Sequence, residues 1–263
     1  MYKRQIADQD ERRALITAGL QKTAKELGGQ VWHNADLLEE INYLVEYPTP
    51  LYGRIDEEFL DLPVPAVVTP MRDHQRYYPV RKQDGSLMPY FLTVRNGGDR
   101  AIRNVQIGNE RVLRARLDDA KFFFDGDRRK SLEGHREALS RINYQEGMGT
   151  MLDKSDRLVK LVEAIGEDWN FTDTEKTDVR RAAYLSKSDL ATGMVTEFTE
   201  LQGEMGKEYA LLDGEKPKVA AAIFEQYMPR FAGDVLPKSS IGRALSLSDK
   251  LDNLAATFLR GLI

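Results

Sequence analysis

Tyr77-Tyr-Pro-Val-Arg-Lys-Gln-Asp-Gly-Ser-Leu-Met-Pro-Tyr-Phe-Leu-Thr-Val-Arg95 decides the fold class of this chain. Two runs rich in aromatic and β-branched residues flank Gln83-Asp84-Gly85. An Asp-Gly between such runs is a strong hairpin signal, because glycine takes the positive φ that a tight turn needs. Pro79 and Pro89 cannot donate to a ladder, so these strands should carry an unpaired side or a bulge. Asn96-Gly97-Gly98 then breaks the chain.

Upstream of the hairpin, Asp8 or Asp10 can cap a helix that runs to about Leu27 and stops at Gly28-Gly29. A second helix begins near Asn34, carries Leu37, Leu38, Ile41, Leu44 and Val45, and ends before Pro48. Ala66-Val-Val-Thr69 reads as a short strand. Downstream only helical patterns follow, over 99–125, 128–143, 151–166, 173–197, 202–213, 216–228 and 239–260. The expected fold class is therefore α+β. A mixed α/β module with a β-hairpin over 1–98 precedes an all-helical domain over 99–263.

Composition narrows the function. A 263-residue chain that is 41% apolar and 30% charged folds as a globular protein with ample core. It contains no cysteine, which excludes disulfides and thiolate chemistry. Its apolar runs fall short of the roughly 20 residues of a membrane span, and Met1-Tyr-Lys-Arg-Gln5 does not read as a signal peptide. Net charge is −4, so contact with nucleic acid must come from a local patch. One exists between Arg100 and Arg116, where five arginines face the single acid Glu110. The apolar end at Phe258-Leu-Arg-Gly-Leu-Ile263 suggests an internal piece of something longer.

The basic patch lies in Gly108-Asn-Glu-Arg-Val-Leu-Arg-Ala-Arg-Leu-Asp-Asp-Ala-Lys-Phe-Phe-Phe124. Asn109 can cap a helix there, with Glu110 in the favourable first turn. Leu113, Leu117, Ala120 and Phe124 follow one buried face, while Arg111, Arg114 and Lys121 lie on another side. Those cations form either a solvated face with Glu110–Arg114 and Arg114–Asp118 pairs or a phosphate-contacting one. A second polar, aromatic and basic segment, Arg72-Asp-His-Gln-Arg-Tyr-Tyr78, could grip a phosphate or stack on a base, or Asp73 and His74 could simply fix a turn.

The three histidines, His33, His74 and His135, are too scattered for a histidine metal site or a nucleophilic triad. Asn96-Gly-Gly has neither spacing of a phosphate-binding glycine loop. The helical half carries three suggestive acids. Asp189 edges the stripe Val179, Ala183, Ser186, Leu190, Met194, while Asp252 lies near the centre of Ile241, Leu245, Ser248, Ala255, Leu259, with Asp249 at its border. A carboxylate on a buried face needs a partner, and Lys187 or Arg243 could supply one to Asp252. Asp189 and Asp249 line either a metal pocket or a structural ion-pair network.

Leu185-Ser-Lys-Ser-Asp189 followed by Leu247-Ser-Asp-Lys-Leu-Asp-Asn253 resembles the second and last motifs of HD-type phosphohydrolases. Those enzymes hold a divalent metal with His…His-Asp…Asp. Here the dyad reads Ser188-Asp189, and Lys154 falls roughly where the earlier histidine would be. The resemblance implies an HD-like scaffold with a degenerate pocket of Lys154, Lys187, Ser188, Asp189, Asp249 and Asp252, no catalytic residue and no metal.

That pattern after such opening segments resembles the β subunit of bacterial tetrameric glycyl-tRNA synthetase over nearly the whole chain. The most specific blocks are Thr69–Val80, Gly108–Phe124, Gln145-Glu-Gly-Met-Gly-Thr150, Lys187–Val195, Glu197–Gly203 and Pro229-Arg-Phe-Ala-Gly-Asp-Val-Leu-Pro237. The resemblance implies that residues 1–98 are part of a module similar to the B3/B4 region of phenylalanyl-tRNA synthetase. It further implies that ATP and magnesium serve the separate α subunit, with no cofactor bound by this region. The implied partners are the α subunit, tRNA(Gly) and the rest of the β subunit, in the cytoplasm and away from membranes. Candidate RNA contacts are Arg72, His74, Arg76, Arg103, Arg111, Arg114 and Arg116, since arginine offers a planar fork for phosphates and stacks on exposed bases. Two other readings are an HD-type metal-dependent nucleotide phosphohydrolase using Asp189 and Asp249, and a purely structural module that holds the α subunit.

Overall fold

The computed structural model describes residues 5–261. The start of the Met1-Tyr-Lys-Arg-Gln5 segment, which does not read as a signal peptide, and the end of the apolar Phe258–Ile263 stretch lie outside them. The chain divides into two compact units, and the division falls between Phe122 and Phe123.

The first unit is built on a four-stranded antiparallel sheet of β1 (Gln30–Val31), β2 (Pro48–Arg54), β3 (Tyr78–Arg81) and β4 (Leu87–Asn96), in the order β1-β3-β4-β2. The expected hairpin is β3–β4. Gly85 sits at φ +87°, and Asp84 Oδ1 accepts from the Ser86 amide and hydroxyl, closing the Gln83–Gly85 loop. The register shifts between Pro79 and Arg81, which is the irregularity foreseen at Pro79. Strand β2 was not foreseen. Pro48, Pro50 and Gly53 disguise it, yet it pairs along its length with β4, from Pro48 opposite Asn96 to Arg54 opposite Tyr90. It tolerates its prolines because it is an edge strand with one side of its ladder unpaired.

Helix α1 (Gln9–Glu26) is capped by Asp8, whose carboxylate accepts from the Asp10 and Glu11 amides. Helix α2 (Ala35–Leu44) is capped by Asn34. Ile16, Leu20 and Ala24 of α1 and Leu37 and Ile41 of α2 pack against Tyr78, Val80 and Leu92 of the sheet. Elsewhere in this unit Phe91 stacks on Tyr77, with ring centroids 4.5 Å apart. Ala66–Thr69 is not a strand. It lies in helix α3 (Val64–Thr69), which continues into a π-type turn through Pro70–His74. Two valines and a threonine suit a strand locally, but Pro65 in the first turn presets helical φ and the segment is buried.

Helix α4 (Ile102–Asp127) begins after a turn in which Ala101 takes φ +55°. It starts seven residues before Asn109, so Asn109 and Glu110 are interior residues rather than cap and first turn. Leu113, Leu117 and Ala120 are fully buried and Phe124 is half-buried, as the period requires. The division between the units lies within this helix; the boundary expected at 98/99 lies in the loop before it.

The second unit is helical: α5 (Leu132–His135), α6 (Met151–Asp168), α7 (Asp173–Leu185), α8 (Gly193–Glu197), α9 (Glu204–Leu212), α10 (Pro217–Glu225) and α11 (Ser240–Leu259). Capping boxes start α6 at Thr150–Asp153 and α7 at Thr172–Glu175. Two expected helices are broken. The 128–143 segment is α5 followed by a 3-10 stretch through Arg136–Arg141. The 173–197 segment ends at Leu185, forms a 3-10 turn at Ser188–Ala191 and restarts as α8. Tertiary bonds meet the chain at the break: Gln226 Nε2 donates to the Ser186 carbonyl at 2.5 Å, and Asp189 Oδ2 accepts the Gly203 amide from the loop before α9.

Candidate functional site

In the second unit the bundle core closes over a network of ionised side chains. Lys154 of α6 is buried and donates to Asp252 Oδ2 at 2.9 Å and Asn253 Oδ1 at 2.8 Å, while its ammonium lies 3.0 Å from Asp249 Oδ1. Lys187, in the turn after α7, approaches the same Asp249 oxygen at 3.1 Å. Arg157, one turn beyond Lys154, grips Asp252 with a fork: Nε to Oδ1 at 2.6 Å and Nη2 to Oδ2 at 3.1 Å. Aromatic faces close the cluster, with the Lys154 ammonium 4.5 Å from the Tyr144 ring centroid and that of Lys187 4.3 Å from Tyr227.

The buried partner of Asp252 is thus Lys154, supported by Arg157. Neither Lys187 nor Arg243, the partners named from the sequence, bonds to it. Lys187 serves Asp249, and Arg243 donates to the carbonyls of Pro237 and Lys238 at the start of its own helix. Arg157 was overlooked although it lies three residues after Lys154 on the same helix. Asp189 belongs to a different part of the pocket. Its Oδ2 accepts the Gly203 amide at 2.5 Å, and its Oδ1 and the Ser188 hydroxyl are buried without hydrogen-bond partners.

Electrostatics follow this geometry. Burial pulls the Lys154 amine down, but Asp249 and Asp252 together overcome it and leave it above its usual value. Burial wins at Lys187, whose amine ends below its usual value despite Asp249. Asp249 and Asp252 are raised by burial and lowered further by their cations, so both end below the usual carboxylate range. Asp189 is pushed up to about 6 by burial, against the pull of the Gly203 amide and Lys187.

This donor set does not suit a divalent ion. A cation would have to displace two ammonium groups from Asp249 and would find no imidazole beside it. Among the described residues, no group of three or more His, Asp or Glu side chains converges as a metal-holding cluster. The arrangement instead ties α6, α11 and the turn after α7 together with internal cations.

The candidate RNA-contacting residues all lie in the first unit, in two sets. Arg103, Arg111 and Arg114 fall on one stripe of α4 and line an open groove against the end of β2, together with Tyr52, Arg54 and Asp56. Arg114 pairs with Asp56 at 2.9 Å and more loosely with Asp118 at 3.9 Å; Arg103 donates to Gln106. Glu110 accepts the Arg54 amide at 3.0 Å and Gln106 Nε2 at 3.1 Å rather than pairing with Arg114. Arg116 is exposed but does not line the groove. The other set precedes β3. Arg72 forms a two-point pair with its neighbour Asp73, Arg76 pairs with Glu40 at 2.5 Å, and His74 lies between them in the π-type turn. Arg54 was not foreseen, since β2 itself was missed; its guanidinium lies 5.4 Å from the Tyr90 ring centroid.

No helix among the described residues is long and apolar enough to cross a membrane. The sequence profile of the family described as glycyl-tRNA synthetase beta subunit matches residues 2–263. The chain is 51% identical to the glycine–tRNA ligase beta subunit of Clostridioides difficile and 49% identical to that of Halothermothrix orenii. The alignments cover 98% of this chain in both cases, with 37% and 38% of the relatives' own length. The chain therefore spans little more than a third of the proteins it resembles.

Proposed function

The chain belongs to the glycyl-tRNA synthetase beta subunit family, and on that premise we propose that it is a noncatalytic region serving glycyl-tRNA formation through tRNA contact and subunit assembly. ATP, magnesium and glycine are handled on the α subunit in this reading, and the protein works in the cytoplasm. The observation that carries the noncatalytic part is Lys154, whose ammonium sits between Asp249 and Asp252. Carboxylates neutralised in this way are structural anchors, not metal ligands or general bases. The same observation counts against a nucleotide phosphohydrolase.

The groove of Arg54, Arg103, Arg111 and Arg114 is the best-supported RNA contact. It is open, built on the rigid wall of α4 and β2, and carries four cations against Asp56 and Glu110. Arg111 is exposed there with no ion pair of its own, and so is available to a phosphate. The test is charge reversal at Arg111 and Arg114 in the complete synthetase, with tRNA affinity followed over a salt series. Two lost phosphate contacts should flatten the log–log salt slope by about 1.4–1.8. ATP-dependent activation of glycine, measured without tRNA, should be unchanged. An unaltered slope would refute the assignment.

A further inference from the structure

We propose that the outer side of α11, together with the tip of the 229–237 loop, is a docking surface for an amphipathic helix from the part of the family's polypeptide that lies outside these 263 residues. Helix α11 is apolar on two sides. Its buried side carries Ile241, Ala244, Leu245 and Ala256 together with Ser246, Ser248, Asp249 and Asp252, and Leu247, Leu251, Leu254 and Phe258 are exposed on another. Those four follow steps of four, three and four residues, the spacing of a helix-to-helix seam. The inner face is already filled by the core and the ion network, so the row of leucines with Phe258 is a second apolar face, left exposed.

The loop extends the same surface. Pro229–Pro237 is one of the blocks singled out in the sequence, and the RNA-contact reading gives it no role. It is held rigidly: Arg230 Nε meets Asp234 Oδ2 at 2.9 Å, the Arg230 amide donates to the same oxygen, and the Val235 amide donates to Oδ1 at 2.9 Å. Both ends are fastened to α11. Ser246 Oγ and Lys250 Nζ donate to the Met228 carbonyl, and Arg243 Nε donates to that of Pro237. Arg243 and Lys250 border the Leu247–Leu254 stripe on the helical wheel, so both ends of the loop are fastened at the edge of that stripe. That tip presents Phe231 at 65% and Leu236 at 68% exposure, with Val235 also exposed.

The size of the surface points to the occupant. A seam of about twelve residues is roughly 18 Å long. It offers far fewer side chains than the roughly 20–30 residues a side of a stable association between free proteins. A covalently linked segment needs less surface, because tethering supplies a high effective concentration. The relatives have the chain to supply it, since these residues correspond to 37% of the Clostridioides difficile subunit.

These 263 residues contain no cysteine, so a thiol introduced here is identified by the peptide that carries it. Leu251→Cys, Leu254→Cys and, as exposed control, Lys22→Cys would be placed in the full-length β subunit. Maleimide labelling would be read peptide by peptide, without tRNA. Labelling at the two leucine sites should be at least tenfold slower than at the control, at all protein concentrations and without the α subunit. Labelling as fast as the control overturns the proposal. So does protection that appears only with the α subunit, or only as concentration rises, which would assign the surface to another subunit or a second copy. Hydrogen exchange over 247–258 gives an independent reading if a thiol variant fails to fold. Because RNA is absent, failure here is separable from failure of the tRNA-contact reading.

Discussion

Replacing Lys154 by methionine removes the one group that joins Asp249 to Asp252 while keeping the length of the side chain. Removing one partner of a buried ion pair costs about 3–5 kcal/mol, because the remaining charge is left uncompensated. Here neither carboxylate is abandoned: Asp252 keeps the Arg157 fork and Asp249 keeps Lys187. The expected loss is therefore at the lower end, about 3 kcal/mol. The assay is urea unfolding followed by Trp169 fluorescence in a Trp32→Phe background, which reports on the second unit alone; the chain has 2 tryptophans, one in each unit. Lys154 has a raised pKa, so its contribution is complete below 10.5 and fades as pH rises through the folded value. Asp249 and Asp252 have lowered pKa values, so theirs is complete above 3.8 and fades as pH falls through the folded values. The difference between parent and variant should then be flat from about pH 5 to 9. Adding Asp252→Asn to the variant should cost less than Asp252→Asn alone, with a coupling of about 1–3 kcal/mol. A single-variant loss below about 1 kcal/mol, the scale of an exposed pair, would refute the reasoning.

Other expectations follow from neighbouring residues. The raised pKa of Asp189, about 6 against an ordinary 3.8, means that ionising it works against the fold. Asp189→Asn should therefore gain up to about 3 kcal/mol on the parent between pH 4 and 7; a pH-independent difference in the same fluorescence assay would contradict this. Gly242→Ala would place a Cβ 1.8 Å from Glu225 Oε2, the carboxylate that caps the start of α11 through the Lys238 and Ser239 amides. It should destabilise the second unit by about 3 kcal/mol, the upper part of the overpacking range, and a neutral result by urea titration would show that Glu225 can move aside. Manganese or EDTA should leave the thermal midpoint where it was, because an ion that binds the native state must raise it. A midpoint that climbs with manganese concentration would restore the metal-pocket reading.

Much of the fold was legible because helical and strand periods are local signals. Asp84-Gly85 between β-rich runs located the hairpin, and the stripe Leu113–Leu117–Ala120 located the buried face of α4. The errors fall where tertiary contact overrides local preference. Val67, Val68 and Thr69 favour a strand yet lie in a helix, and the Pro48–Arg54 strand is read against its own prolines once β4 supplies a partner. Similarly, 173–197 has an unbroken helical pattern, yet it stops at Leu185, where Gln226, distant in sequence, takes the Ser186 carbonyl.

The pocket divides along the same line. The sequence by itself determined that Asp252 faces inward, since a period of 3.6 residues places it with Ile241, Leu245 and Ser248, although Ala255 and Leu259, read as part of the same stripe, are exposed. Only the tertiary structure decided which cation answers which carboxylate. Lys154 lies 98 residues from Asp252 along the chain, and whether it or Lys187 reaches the carboxylate depends on how α6 and α11 are stacked. A helix period reports which way a side chain points; what it meets there is set by packing between elements distant in sequence.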